Sequence, residues 1–540
     1  MNLVEFIRQN TELKEKQVDT VVSLLDEGNT IPFIARYRKD KTDNLDEVGV
    51  KTVKDKLEYF REIQDRKQTV INTITELGKM TDELMNKITN TFDKLQLEDL
   101  YAPYKPKKTT RAAKAKEAGL EKLTGIILNP ALRAGNIEEI VTPFINAEKG
   151  YDTVEKTING ACDIIAENIA DNADIKGFIR NSMLNFGNLS SKVKKGKEEE
   201  GAKYQNYFEF SEKVKYIPSH RILAIFRGEN EKILSVSVDG DDEKFVEYIK
   251  RNNKNFSPLF SEYVNNAMED SYKRLIKPSI SNEIRKILKE RADFESVKVF
   301  SDNLRALLMS APLGTKKVLA VDPGIRTGAK LAVISETGDF LEHTVLYWNT
   351  NNPAEEKKVL GLISKYEITH IGVGNGTGGR ELREYFLQSF KKNNMKNMNV
   401  IMVNESGASI YSASDSAREE FGELDLTVRG AISIGRRLQD PLAELVKITP
   451  ESIGVGQYQH DVDNSLLKKE LKETVEFCVN KVGVNLNTAS KELLSYVSGV
   501  SAKIAKNIIE YREKNGMFKS RKEIKKVTGL GPKAFEQAAG

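Results

Sequence analysis

Residues 318–334, VLAVDPGIRTGAKLAVI, constrain the fold more than any other stretch of the chain. A β-branched run delivers Asp322 into a glycine-rich turn and a second apolar run follows at once, which reads as strand, carboxylate, tight turn and antiparallel strand. Gly324 and Gly328 let the backbone turn sharply beside the acid. Asp322 is therefore expected at an exposed strand end, within reach of a metal ion or a phosphate. The residues beyond continue the pattern. Strands at 328–334 and 340–348, joined by the turn ETGD at 336–339, complete a three-stranded antiparallel meander. A helix from Pro353 to Tyr366, a strand at 369–374, a helix near Arg380 to Lys391, a strand at 399–403 and terminal helices follow.

Three antiparallel strands followed by alternating helices and strands are the topology of an RNase H-like domain. Two designs place an acid in such a turn: RuvC-type nucleases of that fold use D-P-G, and actin-like or sugar-kinase ATPases turn a D-x-G toward phosphate. Nuclease sites gather carboxylates from separate elements, because two divalent ions about 4 Å apart need several oxygen ligands. The candidates are Asp322, Glu405 after the last strand, and Asp440 with Glu444, whose i, i+4 spacing shares a helix face. Against that reading, IGVGNGTGGRE supplies Asn375 where such a site wants an acid, and an amide binds hard cations less strongly than a carboxylate. Asp440 precedes Pro441 and also reads as a helix cap, and Glu444 as a surface residue. A metal-dependent nuclease, a fold kept for binding or structure, and an ATPase with GNGTGG as a weak phosphate loop all stay open.

At 540 residues the chain is too long for one core and predicts three or four domains. With Lys+Arg 83 and Asp+Glu 79 the net charge is only +4, so contacts to nucleic acid must come from local patches. Cys162 and Cys478 lie far apart with no C-x-x-C, which argues against a disulfide framework or structural zinc and suits a reducing compartment. None of the four histidines, His220, His343, His370 and His460, has a partner at ligand spacing. The first residues resemble no signal peptide and no apolar run reaches about 18 residues, so a cytoplasmic, non-membrane protein is expected.

Residues 1–310 read as mostly helical. Val18, Val21, Val22, Leu24 and Leu25 have helical spacing up to Gly28, followed by a short apolar link through Ile31, Pro32 and Phe33. A long amphipathic helix follows from Asp46 to about Leu77, with Gly78 as its C-cap. Two basic clusters interrupt this scaffold: Arg36, Arg38 and Lys39, and then Lys105, Lys107, Lys108, Arg111, Lys114 and Lys116. Each is read either as a phosphate contact or as a solvated or paired helix face. Residues 214–238 hold two β-rich runs about a polar turn and predict a hairpin.

The C-terminus carries the sharper binding signal. LLSYVSGVSAKIAKNII and IKKVTGLGPKAFEQ each show a helix, a glycine-centred turn and a second helix, the pattern of paired helix-hairpin-helix units. Gly499, Ser501 and Lys503 in the first, and Gly529, Gly531 and Lys533 in the second, are the candidate phosphate-binding residues, because such turns present backbone N–H groups at a helix start. Residues 501–540 hold ten Lys/Arg against four Glu, a local surplus of six. The G-L-G turn is the stronger unit, since Ser501 replaces a turn glycine in the first. The alternative is that the hairpins only pack the scaffold.

IPFIARYRKD, LEDLYAPYKPKKTTRA, VDPGIRTGAK, GNGTGGRE, TVRGAISIGRRLQDPLAELVKI, SIGVGQYQHDV and VNLNTAS through GLGPKAFEQAAG together resemble the Tex transcription accessory proteins of bacteria, over residues 1–540. The resemblance implies a multidomain, mainly α chain: a helical N-terminal Tex-type region (1–205), a central region (206–312), an α/β RNase H-like domain of YqgF/RuvC type (313–450) and a double helix-hairpin-helix domain (451–540). It implies a nucleic-acid-binding factor linked to RNA polymerase, with a non-catalytic YqgF domain. Asp322, Asn375, Glu405 and Asp440 match positions where related nucleases keep metal ligands, and the Asn fits loss of activity. Family members continue into an OB-fold RNA-binding module, so a chain ending at Gly540 is expected to be a truncated or naturally short form. The expected function is sequence-nonspecific binding of RNA or DNA through phosphate, without a cofactor. The alternatives are a Mg²⁺-dependent RNA or branched-DNA nuclease and a helical scaffold docking on RNA polymerase.

Overall fold

The computed structural model describes residues 1–105, 110–350 and 352–538. Lys107 and Lys108 of the second basic cluster lie outside the described residues. The chain divides into two compact units, one of Met1–Asp19 and Thr52–Asp293, the other of Thr20–Lys51 and Phe294–Gly540. A linear division of the chain does not anticipate that residues 20–51 pack with its C-terminal half.

The first unit is helical apart from a small antiparallel sheet in the order β2-β1-β3, formed by β1 (Asn188–Val193), β2 (Glu209–Lys213) and β3 (Leu234–Asp239). The hairpin expected at 214–238 does not form. Its second run is β3, but its first is the helix Ser219–Asn230, entered through Pro218. The unbroken apolar run Ile222 to Phe226 fits either element by periodicity, and the tertiary packing of all five residues decides for helix. The partner of β3 is the polar strand β1, which has no strand signature of its own. A buried ion pair ties this unit together: the Arg180 guanidinium donates to both oxygens of Asp99 at 2.7 and 2.9 Å and to Glu283 at 2.8 Å. Those residues join three helices that are far apart in sequence.

In the second unit a five-stranded sheet runs in the order β6-β5-β4-β7-β8, from β4 (Val318–Asp322), β5 (Ala329–Ile334), β6 (Phe340–Leu346), β7 (His370–Gly374) and β8 (Asn399–Val403). The first three pair antiparallel, and β7 and β8 then extend the sheet in parallel. Alternation along β4 divides the core. Leu319 and Val321 face the helices Pro353–Tyr366 and Gly379–Lys392, while Val318 and Ala320 face the helix Leu426–Gln439. This is the RNase H-like topology expected from the sequence.

The helix Asn464–Val482 leads into two hairpins, Lys491–Ser495 with Ala502–Asn515, and the 3₁₀ segment Arg521–Lys526 with Pro532–Ala538. They share one core containing Leu494, Val500, Ile508, Phe518 and Ile524. Residues 20–51 cover part of this domain. Ile31, Pro32 and Phe33, expected as a short apolar link, begin the helix Ile31–Tyr37, with Pro32 in its first turn, where a missing N–H costs nothing. Thr30 donates to Ser498 Oγ at 2.9 Å, Gln537 Nε2 donates to the Gly28 carbonyl at 3.2 Å, and Lys51 pairs with Glu470 at 3.0 Å.

Candidate functional site

Two clusters were expected to carry function, the carboxylates of the sheet and the hairpin turns. Asp322 ends β4 opposite Lys330 on β5. The turn between them closes when the Lys330 ammonium donates to the carbonyls of Thr327 at 2.6 Å and Gly328 at 2.9 Å. Gly328 has φ +75°, whereas Gly324 is needed for a different reason: a Cβ there would lie 2.5 Å from the Gly328 carbonyl oxygen. Asp322 is half-buried rather than exposed. Burial first, and then the neighbouring Glu405, push its carboxyl up to about 6, with Lys330 opposing both.

Glu405 follows β8 and joins Asp322. Its backbone N–H donates to Asn375 Oδ1 at 3.1 Å, while the Asn375 N–H donates to the Val403 carbonyl at 2.9 Å. The Glu405 carboxylate lies flat on the backbone of residues 374–376, since Cβ atoms on Gly374 and Gly376 would fall 2.2 and 1.7 Å from its oxygens. Its Oε2 is buried with no hydrogen-bond partner. Asn375 thus holds the loop that carries Glu405.

Asp440 does not join them. It ends the helix Leu426–Gln439 and caps the next one, accepting from Ala443 N–H at 3.0 Å. The residue of that helix facing Asp322 is Gly430, whose Cβ position is 3.0 Å from Asp322 Oδ2. Ten residues at a rise of about 1.5 Å put Asp440 roughly 15 Å farther along. The expectation that Asp440 completes the acidic set is therefore corrected: its Pro-led cap takes it to the far end of the helix. Glu444 is also not on the surface. It is buried, pairs with Lys447 at 3.1 Å, and belongs to a network in which Lys447 and Arg436 both hold Glu420. Among the described residues, the donor set around Asp322 is two carboxylates and one amide whose oxygen already accepts a backbone bond. That set does not fit a pair of Mg²⁺ ions, which require several free oxygen ligands.

The hairpin turns pack reciprocally. Gly499, at φ +80°, lies against the last helix, with its Cβ position 2.8 Å from the Ala534 carbonyl. Gly529, at φ +90°, lies against Ala502–Asn515, where Asn507 Nδ2 donates to the Thr528 carbonyl at 2.7 Å. Ser501 is a proper N-cap, its Oγ accepting from Ile504 N–H at 3.3 Å, so the missing glycine does not weaken the first unit. Ser501, Lys503, Gly529 and Gly531 are exposed, and nothing lies within 4 Å of a Cβ added at Gly531. Lys533 is different from the expectation, because its ammonium donates to the Glu27 carbonyl of residues 20–51.

Part of each basic cluster is engaged within the fold. Arg38 pairs with Glu536 and lies 4.5 Å from the Phe33 ring centroid, and Lys105 pairs with Glu98. Arg111, Lys114 and Lys116 lie on the exposed face of a helix whose Ala112 and Ala115 are buried. Both cysteines are buried, with their thiols pushed up to about 12 at Cys162 and about 11 at Cys478. Gly430 and Asn507, which decide the geometry of the two clusters, carry no signal in the sequence that singles them out.

Fold and site together define a multidomain, mainly helical protein that joins one RNase H-like domain to paired helix-hairpin-helix units. The Tex-like protein N-terminal domain matches residues 1–75, the Tex central region 133–300, the Tex protein YqgF-like domain 316–439 and a helix-hairpin-helix motif 479–540. The chain belongs to the Tex family. It is 43% identical to the protein YdcI of Bacillus subtilis, covering 100% of this chain and 75% of the relative. It is 40% identical to the transcriptional accessory protein Tex of Neisseria gonorrhoeae over 100% of this chain and 72% of that one. The human S1 RNA-binding domain-containing protein 1 is 39% identical over 100% of this chain and 56% of its own length. No described helix is long and apolar enough to cross a membrane.

Proposed function

We propose that this protein is a cytoplasmic, sequence-nonspecific nucleic-acid-binding factor of transcription, in which residues 451–540 hold phosphate and the YqgF domain of 313–450 serves binding or architecture rather than cleavage. The observation that carries it is the exposure of Ser501, Lys503, Gly529 and Gly531 at the two hairpin turns. At the start of the 14-residue helix Ala502–Asn515 the Ile504 amide is capped by Ser501 while those of Ala502 and Lys503 have no intrahelical partner, and the second turn packs on the same helix at Asn507. Contacts of that kind read phosphate and not base identity. The relative named a transcriptional accessory protein and the one named for an RNA-binding domain support the same reading. RNA polymerase is the protein partner it favours.

The test compares the parent with the Lys503→Glu, Gly531→Val double variant, which removes a cation and fills the open turn without a steric clash. Binding to duplex DNA and to duplex RNA is expected to weaken alike for all base compositions. The slope of log K against log salt is expected to flatten by about one unit for the lost cation. With Mg²⁺ or Mn²⁺ the parent should leave RNA, duplex DNA and four-way junctions intact. Unchanged affinity at low salt would make the hairpins scaffold, and cleavage lost in Asp322→Asn would restore the nuclease reading.

A further inference from the structure

Within the second unit a groove of about 1400 Å³ lies between the end of the RNase H-like domain and the first hairpin. Residues between 308 and 447 line one part and residues between 482 and 513 the rest. Apolar side chains lie open in it: Val482 is 59% and Met309 39% exposed, and Leu493 and Ile509 are half-buried. The charged lining holds eight carboxylates and five cations. Those cations are committed within the fold. Arg436 and Lys447 hold Glu420, Lys447 also pairs with Glu444 at 3.1 Å, and Lys491 pairs with Glu419 at 2.7 Å. Lys506 lies 3.7 Å from Glu510, and Arg512 donates to the Leu486 and Ala489 carbonyls at 3.0 and 3.1 Å. The carboxylates of Glu336 and Glu513, both exposed, have no hydrogen bond or ion pair among the described residues. Glu513 also lies in the last turn of the helix Ala502–Asn515, where the backbone dipole disfavours negative charge.

Uncompensated carboxylates around exposed apolar side chains form a receptor for a chain that carries cations and apolar groups together. A surplus of three carboxylates repels phosphate, so nucleic acid is the wrong occupant. The volume exceeds the roughly 300–1,000 Å³ of small-molecule sites and suits a stretch of polypeptide. We propose that this groove is a docking site for a basic, amphipathic segment of a partner protein, whose Lys or Arg side chains meet Glu336 and Glu513 while its apolar side chains cover Val482 and Met309. The inference goes beyond the nucleic-acid reading and stands without it. The helix Ala502–Asn515 then serves two surfaces, the hairpin turn at its start through Lys503 and the groove near its end through Glu513.

The test uses the full chain and three labelled decapeptides, one of Lys and Leu, one of Glu and Leu, and one of Lys and Ser. The Lys/Leu peptide should bind more tightly than the other two, because it alone supplies both the charge and the apolar surface. Glu336→Lys with Glu513→Lys should weaken its binding about tenfold at low salt and by less at high salt. Both residues are exposed and unpaired, so this variant should keep the parent's thermal midpoint. Val482→Ser changes no charge and should cost the same peptide about fivefold while leaving duplex DNA binding unchanged. Glu198→Lys with Glu199→Lys, exposed on the other unit, should leave peptide binding as it is in the parent. The proposal is overturned if the Lys/Leu peptide does not bind, if either other peptide binds as tightly, or if the two double variants lose affinity alike. Single-stranded RNA whose binding falls in Val482→Ser would assign the groove to nucleic acid instead. Lys503→Glu with Gly531→Val reports on the hairpins, so failure of the groove and failure of the nucleic-acid reading are told apart.

Discussion

Asp322 is held in its charged form against its surroundings. Burial and the adjacent Glu405 raise its folded pKa to about 6, from roughly 3.9 in an unfolded chain. Between those values the folded state binds the proton more tightly than the unfolded state, so stability falls as pH rises from about 4 to about 6. Above that window the ionised carboxylate costs on the order of 3 kcal/mol. Asp322→Asn removes the titration, and the variant should be the more stable protein at pH 7 with little difference at pH 4. Trp348, the chain's single tryptophan, packs against the core of the same domain and reports its unfolding by fluorescence. Denaturant midpoints of the parent that stay flat from pH 4 to 7 would show that the carboxyl is not strained.

At the scale of elements, the β4–β5 turn depends on two glycines for unlike reasons. Gly328 occupies a left-handed conformation that a β-branched residue avoids, while Gly324 has an ordinary φ and leaves room for the Gly328 carbonyl. Gly324→Val should therefore push the two backbone segments apart and cost about 1–3 kcal/mol or more by overpacking. Gly531→Val, with open space around it, should cost much less. Comparing the two by thermal unfolding separates crowding from glycine content, and equal losses would contradict the steric account. The turn, the strand order and the paired hairpins were legible because their signals are local: alternation of period two, glycine at the bend, and apolar residues spaced for helix. The helix Ser219–Asn230 was misread because Ile222 to Phe226 is one unbroken apolar run, and the polar strand β1 that completes its neighbour's sheet has no pattern to detect.

At the scale of the molecule, residues 20–51 act as a strap on a domain more than 400 positions away. Phe33, 2% exposed, is its apolar anchor. Phe33→Ala should cost the C-terminal unit on the order of 3–5 kcal/mol, as large truncations in packed cores do. Amide hydrogen exchange should then quicken across residues 479–538 while the β4–β8 sheet keeps its protection. Exchange that rises only within residues 20–51 would mean the strap does not support the hairpins. The sequence by itself determined the element types of the RNase H-like domain, the two hairpins and the family, because strand alternation, turn glycines and long motifs are properties of neighbouring residues. Only the tertiary structure decided that Gly430 and not Asp440 faces Asp322, that the Lys533 ammonium serves the Glu27 carbonyl, and that Glu336 and Glu513 share a groove. Those facts arise from packing between segments distant along the chain, where the final distance depends on every side chain between them and on no local pattern.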